Sequence, residues 1–254
     1  MVLKAVFLDL AGVLYEGRRA IPGAREAVAR LQASSLTLRF VTNTSRRSRA
    51  QLLDDLAQLG FDIAPETLFT APLAARQWLE HRGHRPLLLV HPDIACEFEG
   101  LPREAPDAVV LADAEDGLNY RNLDTAFRLL MTGAPLLAIG TNRYFKTEDG
   151  LHLDAGPFVR ALEFAAGTQA VVAGKPSADF FREVLRDAGC APQEALMVGD
   201  DVHGDVEGAL HAGLRAMLVQ TGKYRRGDER QIQGVFGVRP SITEVVESVL
   251  QLPD

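Results

Sequence analysis

Acidic residues follow two short apolar runs that lie far apart in the sequence, and both runs have the composition of buried β-strands. Asp9 closes the run that begins at Val2, and Asp200 directly follows the run Leu196–Gly199. A lysine, Lys175, lies in a Gly-Lys-Pro turn after a third such run. Carboxylates suit Mg²⁺, and a lysine supplies positive charge for phosphoryl oxygens. These residue types predict phosphoryl transfer through an aspartyl nucleophile.

The surrounding elements must bring these residues together. After the first strand, Pro22-Gly23 opens a helical pattern, and residues 36–41 form a second β-type run that ends at Thr42-Asn43. Strands and helices continue to alternate, as in a doubly wound α/β sheet. Right-handed crossovers place all strand carboxyl ends at one edge. We therefore expect the acidic residues, the lysine and the Thr-Asn pair to share one crevice.

A second α/β pattern interrupts the first. The polar stretch 81–86 is a plausible boundary, after which new strands and helices begin. We predict an α/β, Rossmann-like core made of residues 1–81 and 170–254, with a smaller α/β domain inserted at 82–169. The β-type run 170–173 is expected to rejoin the core sheet.

The composition argues against several classes of function. The 254 residues include 27 basic and 34 acidic ones, and a net charge of −7 has the wrong sign for binding a nucleic-acid backbone. Cys96 and Cys190 lie far apart, which suggests neither a disulfide framework nor a zinc site. No apolar stretch approaches the roughly 18 to 20 residues that span a bilayer, and no signal peptide is visible. We expect a cytoplasmic protein with no nucleic-acid or membrane partner.

Four segments, taken in order, resemble the motifs of the haloacid dehalogenase (HAD) superfamily. They are Val6–Leu14, Thr42-Asn43, Gly174-Lys175-Pro176 and Gly199–Asp205. Each segment alone is a weak signal, but the four occur in the right order after suitably placed strands and together span the chain. The insertion after the third strand is similar to the type IIA cap of that superfamily. The resemblance implies a HAD core with a cap domain.

The resemblance also implies roles for individual residues. Asp9 would be the nucleophile and a metal ligand, and Asp200 and the backbone carbonyl of Ala11 would complete the protein ligands of Mg²⁺. Lys175 would hold the phosphoryl group and the nucleophile in place. The substrate would be a small phosphorylated compound, and the residues implied in binding its phosphate are Ala11, Gly12, Thr42, Asn43 and Lys175.

Two further acidic residues leave alternatives open. By the resemblance, Asp205 would orient the metal shell, but the same residue could cap a helix that begins near Val206. Asp201 could replace Asp205 in supporting the metal, or it could face the solvent.

Ala11 departs from the pattern of the resembling phosphatases, which usually carry a second Asp at this position as general acid and base. Alanine keeps the backbone carbonyl but loses proton transfer, which typically contributes about 10²–10⁴-fold. We therefore expect slow hydrolysis of alkyl phosphates and faster hydrolysis of aryl phosphates, acyl phosphates, pyrophosphate or N-phosphates. The alternative is a catalytically idle fold that binds a phosphorylated ligand or a protein.

The inserted domain would select the substrate. Asn142, Arg143, Tyr144 and Lys146 could meet an anionic or polar leaving group, although a solvated basic hairpin is an equally good interpretation of them. Type IIA relatives commonly pair through their caps, so the resemblance is compatible with a homodimer.

Overall fold

The computed structural model describes residues 2–147 and 150–251, with side chains at all of these positions except 145–147 and 151. The chain divides into two compact units. The first contains residues 1–42, 50–69 and 175–254, and the second contains residues 43–49 and 70–174.

The strands and helices alternate along the described chain. The strands are β1 (Ala5–Asp9), β2 (Tyr15–Glu16), β3 (Arg19–Ala20), β4 (Thr37–Thr42), β5 (Leu68–Thr70), β6 (Pro86–Leu89), β7 (Ala108–Leu111), β8 (Leu136–Ala138), β9 (Tyr144–Thr147), β10 (Gly150–Leu153), β11 (Val171–Val172), β12 (Ala195–Gly199), β13 (Arg215–Val219) and β14 (Gly237–Arg239). The α-helices are α1 (Ala24–Gln32), α2 (Arg49–Gln58), α3 (Ala71–Arg82), α4 (Tyr120–Leu130), α5 (Ala155–Ala166), α6 (Ala178–Ala188), α7 (Gly208–His211) and α8 (Ile242–Leu250). None of the described helices is both long and apolar enough to cross a bilayer.

The first unit is built on a six-stranded sheet with the order β14-β13-β12-β1-β4-β5. The central strand β1 is buried along its whole length and pairs in parallel with β12 and β4. Its side chains alternate between the two faces, so that Val6 and Leu8 pack in one core with residues of α1 and α8. Burial on both faces explains why β1 is apolar throughout rather than alternating. This is the predicted doubly wound α/β arrangement.

The register of this sheet determines where the polar residues lie. Asp9 at the end of β1 is aligned with Val41 of β4, and β12 runs parallel to β1 on its other side. The carboxyl ends of the three strands therefore lie at the same edge, followed by Leu10, Asn43 and Asp200 in the sequence. β13 pairs in parallel with β12, so its carboxyl end reaches this edge too.

The second unit has its own sheet, with the order β11-β8-β7-β6 and parallel pairing throughout. Val110 of β7 faces a core that includes Trp78 of α3, whereas Val109 faces a core that includes Ala126 of α4 and Val159 of α5. Helices thus cover both faces of this smaller sheet. β9 and β10 form a separate antiparallel hairpin.

One expectation about the strands is wrong. The run 170–173 was expected to rejoin the core sheet, but β11 pairs with β8 of the second sheet. An apolar run of this kind shows that a strand is buried without showing which sheet it joins. The second unit also includes α3, which starts before residue 82. The division of the chain at 81/82 and 169/170 stays a prediction about folding domains.

Candidate active site

A buried lysine links two acidic residues in the first unit. Lys175 Nζ lies 2.6 Å from Asp9 Oδ1 and 2.6 Å from Asp205 Oδ1. Asp9 reaches this position as the last residue of β1, and Asp205 lies in the single π-helical turn Val202–Glu207 that follows β12. All three side chains are almost completely buried. The charges of Lys175, Asp9 and Asp205 are therefore stabilised by one another rather than by water.

Asp200 lies beside this group, immediately after β12. Its Oδ2 accepts a hydrogen bond of 2.6 Å from the backbone N–H of Lys223. Its Oδ1 is buried and has no hydrogen-bond partner among the described residues. A buried carboxylate oxygen without a partner is costly in a folded protein, which favours a ligand at this oxygen.

Asp201 has a different task from its neighbour. Its Oδ1 accepts hydrogen bonds from the backbone N–H groups of His203 and Gly204, so it caps the π-helical turn. Its Oδ2 lies 3.1 Å from Lys223 Nζ. The capping role that the sequence left open for Asp205 is thus filled by Asp201, while Asp205 contacts Lys175.

Burial and charge shift the pKa values of the cluster. Burial raises the pKa of Asp9, and Lys175 opposes this only in part. Burial likewise raises the pKa of Asp205 to about 6, although the charge of Lys175 acts to lower it. Burial also raises the pKa of Asp200 to about 6, although the hydrogen bond from the Lys223 N–H acts to lower it. Burial would lower the pKa of Lys175, but the charges of Asp205 and Asp9 outweigh it and the net shift is upward.

The cluster fits a divalent cation. Asp9, Asp200 and Asp205 each offer a carboxylate oxygen, and these atoms lie within 4.8 Å of one another. With one lysine among three ionised carboxylates, the group carries an excess of two negative charges. An all-oxygen donor set of this kind is typical of Mg²⁺ sites, and Oδ1 of Asp200 supplies a ligand atom that no described residue hydrogen-bonds.

The loop after β1 packs tightly against Asp200. Gly12 has φ of +85°, and a Cβ built on it would collide with the Asp200 carboxylate. Ala11 is exposed and forms an isolated bridge with Tyr15. The structure therefore brings the predicted residues Asp9, Gly12, Lys175, Asp200 and Asp205 together in one place, whereas the roles given to them stay predictions.

The remaining predicted residues lie further along the chain. Thr42 is buried at the end of β4, beside β1. Asn43 belongs to the second unit, where a Cβ built on Gly174 would lie 3.1 Å from Asn43 Oδ1. The phosphate-binding role of both residues stays a prediction.

The candidate specificity residues lie at the start of the hairpin in the second unit. Asn142, Arg143 and Tyr144 are exposed, and the backbone carbonyl of Asn142 accepts a hydrogen bond from the N–H of Gly156 at the start of α5. The side chain of Lys146 lies outside the described part of the structure. Their contact with a leaving group stays a prediction.

The sequence interpretation missed a group of residues next to Asp200. Thr221, Gly222 and Lys223 follow β13, and Glu16 lies in β2. They contact Asp200, Gly12 or one another through hydrogen bonds described below. The available signal was the polar Thr-Gly-Lys segment that begins two residues after Val219, the last residue of β13, at the edge where the other polar residues collect.

The fold and this acid–lysine cluster define a hydrolase with a doubly wound α/β core and a smaller second α/β unit. Family models match both halves of the chain: haloacid dehalogenase-like hydrolase over residues 6–101, and a HAD hydrolase-like model over residues 172–252. The chain belongs to the haloacid dehalogenase-like hydrolase family.

Relatives cover almost the whole chain. Haloacid dehalogenase-like hydrolase domain-containing protein 2 of Rattus norvegicus is 51% identical over 91% of this chain and 89% of its own length. Phospholysine phosphohistidine inorganic pyrophosphate phosphatase of Homo sapiens is 42% identical over 99% of this chain and 96% of its own length. Among solved structures, p-nitrophenyl phosphatase from Archaeoglobus fulgidus superposes with a TM-score of 0.86 at 25% identity, over 98% of this chain and 100% of its own.

Proposed function

We propose that the protein is a Mg²⁺-dependent phosphohydrolase that works through a phosphorylated Asp9. The contact between Lys175 and Asp9, 2.6 Å long in a buried site, carries this proposal. A lysine charge at this distance favours the ionised form of the carboxylate, which is the nucleophilic form.

The reaction would take place in two steps. In the first, a carboxylate oxygen of Asp9 bonds to phosphorus while the bond from phosphorus to the leaving oxygen or nitrogen breaks, and the leaving group takes a proton from water. In the second, water adds to phosphorus, the bond to Asp9 breaks, and orthophosphate leaves. Lys175 stays protonated throughout, since Asp205 and Asp9 both raise its pKa. Its charge would stabilise the developing negative charge on the phosphoryl oxygens.

Bound Mg²⁺ would supply charge neutralisation for the phosphoryl group. Asp9, Asp200 and the backbone carbonyl of Ala11 would hold it, and Asp205 would hold the surrounding groups in place. The unpartnered Oδ1 of Asp200 supports this assignment. Thr42 and Asn43, with the backbone at Ala11 and Gly12, would bind the phosphoryl oxygens.

The leaving group would determine the rate. Since Ala11 cannot donate a proton to it, leaving groups that are stable without protonation should react faster. Aryl phosphates, acyl phosphates, pyrophosphate and N-phosphates have this property. The 42% identity to a phospholysine phosphohistidine inorganic pyrophosphate phosphatase supports the last two classes.

The second unit would act as a type IIA cap and select the substrate, with Asn142, Arg143 and Tyr144 as contacts to the leaving group. A homodimer formed through this unit and a location in the cytoplasm stay predictions. The net charge of −7 supports the expectation that nucleic acid is not a partner.

A phosphatase assay with Mg²⁺ tests the proposal. The wild-type protein should release phosphate from 4-nitrophenyl phosphate, acetyl phosphate and pyrophosphate, and Asp9→Asn should lower kcat at least about 10³-fold because the nucleophile is lost. Asp54→Asn, at an exposed position of α2, is the matched control and should keep wild-type activity. Equal activity of Asp9→Asn and the control would refute the role of Asp9.

The departure at Ala11 also supports a second candidate, a fold that binds a phosphorylated ligand without turnover. Calorimetry with Mg²⁺ and a phosphorylated ligand separates the two. Binding by a wild-type protein that releases no phosphate from any of the three substrate classes would favour the binding fold.

A further inference from the structure

The segment Thr221–Lys223 lies at the carboxyl end of β13, where the proposed mechanism gives it no task. Gly199 of β12 is aligned with Leu218 of β13 in the parallel register. The end of β13 is therefore next to Asp200, which follows Gly199. The segment is short, polar and directed at the carboxylate that has one unpartnered oxygen.

The segment hydrogen-bonds one carboxylate oxygen of Asp200, Oδ2, and does not hydrogen-bond the other, Oδ1. The N–H of Lys223 donates a hydrogen bond of 2.6 Å to Asp200 Oδ2. The backbones of Gly12 and Gly222 both lie close to the same carboxylate, because a Cβ on either glycine would collide with Oδ2. A carboxylate that is held at Oδ2 and enclosed by two glycines cannot rotate freely, so Oδ1 keeps one direction.

The segment is itself anchored to the loop after β1. The N–H of Gly222 donates a hydrogen bond of 2.6 Å to Glu16 Oε1. The hydroxyl of Thr221 donates to the carbonyl oxygen of Gly12. The segment thus links the loop that follows Asp9 to the side chain of Asp200, the two places from which the protein ligands would come.

Only glycine fits at position 222. Its φ is +67°, and a Cβ would meet both Asp200 Oδ2 and Gly12 Cα. Gly17, which follows Glu16, has a similar φ of +57° but no atom within 4 Å of a Cβ built on it. Alanine at either position strains the backbone, whereas only alanine at 222 displaces Asp200.

We propose that Thr221–Lys223 and Glu16 are positioning residues that aim Asp200 Oδ1 at the divalent cation, an inference that rests on the proposed Mg²⁺ site. Partners of this kind orient a ligand without touching the metal, and their loss typically costs about 10- to 100-fold in metal affinity. The segment contributes two main-chain N–H donors, those of Gly222 and Lys223, and one side-chain donor, the hydroxyl of Thr221.

The test is calorimetric titration of the full chain with Mg²⁺ alone. Gly222→Ala should raise the dissociation constant at least about 10-fold, and Gly17→Ala should leave it within about 2-fold of wild type, although both variants lose some thermal stability. If Gly222→Ala binds Mg²⁺ as tightly as Gly17→Ala, the segment does not position Asp200. If the wild-type protein fails to bind Mg²⁺, the metal site itself is refuted and the inference with it.

A second pair of variants decides the matter if Gly222→Ala does not fold. Glu16→Ala removes the acceptor for the N–H of Gly222, whereas Glu16→Gln keeps an oxygen that can accept it. Glu16→Ala should weaken Mg²⁺ binding by several-fold, and Glu16→Gln should restore at least half of that loss on a logarithmic scale. Equal affinity of wild type and Glu16→Ala would overturn the proposed anchoring role.

Discussion

Lys175 Nζ lies 2.6 Å from Asp205 Oδ1, and only 5% and 2% of the two side chains are exposed. Asp205 therefore binds the same ammonium group as Asp9. Among the described residues of the cluster, Lys175 is the cation that compensates the two buried carboxylates, Asp9 and Asp205. Its removal should affect stability as well as catalysis.

Lys175→Met tests this balance of charge. Breaking a buried ion pair by removing one partner typically costs about 3–5 kcal/mol, because the other charge stays buried. We expect a loss of this size in the free energy of unfolding, measured by urea denaturation at pH 7.5. Adding Asp205→Asn to Lys175→Met should recover part of the loss, since it removes one uncompensated charge.

Lys4→Met is the control for that series. Lys4 also forms an ion pair, with Glu194, but 61% of its side chain is exposed. Exposed pairs of this kind contribute little to stability, because water and salt screen the two charges. If Lys175→Met lowers the free energy of unfolding no more than Lys4→Met does, the buried ion pairs of Lys175 contribute no more to stability than an exposed pair.

Ala11→Asp tests the explanation of leaving-group preference. The new carboxyl group could donate a proton to the leaving oxygen and accept one from water. Such proton transfer typically raises the rate by about 10²–10⁴-fold. We expect kcat/KM to rise for both glycerol phosphate and 4-nitrophenyl phosphate, and to rise more for glycerol phosphate, which has the poorer leaving group. Unchanged turnover of 4-nitrophenyl phosphate would count heavily against this account.

Asp200 and Asp201 are adjacent but should respond differently to substitution. Asp201→Ala removes the cap of the π-helical turn and should lower the free energy of unfolding by about 1 kcal/mol. Asp200→Ala removes a proposed ligand and should abolish measurable Mg²⁺ binding. Calorimetry and urea denaturation of both variants check this. A larger loss of Mg²⁺ affinity in Asp201→Ala than in Asp200→Ala would reverse the two assignments.

Asp107 in the second unit should make stability depend on pH. The N–H of Arg85, its guanidinium and His84 Nδ1 all contact this carboxylate and lower its pKa to about 2. Because the folded-state pKa is depressed, the stabilisation is fully present above pH 4 and is lost as the pH falls towards 2. The side chain is 40% exposed, so solvent screening limits the contribution to about 1 kcal/mol.

Urea denaturation of Asp107→Asn and wild type at pH 7, 4 and 3 measures this effect. The difference in free energy of unfolding should be largest at pH 7 and should shrink at pH 3. Asp54→Asn at the exposed surface of α2 serves as the control. A difference between Asp107→Asn and wild type that grows as the pH falls would have the wrong sign.

The central part of the site could be predicted from local sequence. Asp9 ends β1 and Asp200 follows β12, and these neighbouring parallel strands of the first sheet bring the two residues to one edge. The same argument does not place Lys175, because β11 belongs to the second sheet. The order of motifs along the chain then sufficed to identify the family. Nothing in this step required knowledge of which side chains touch.

The tertiary structure decided what depends on side-chain direction and on distant pairing. Asp201 and Asp205 are four residues apart in one turn, and only the fold shows that Asp201 caps it while Asp205 reaches Lys175. The placement of β11 in the second sheet and the contact of Lys223 with Asp200 join residues 20 or more positions apart. Hydrophobic pattern and strand length record burial, but the choice of partner across such separations is settled by packing of the whole chain.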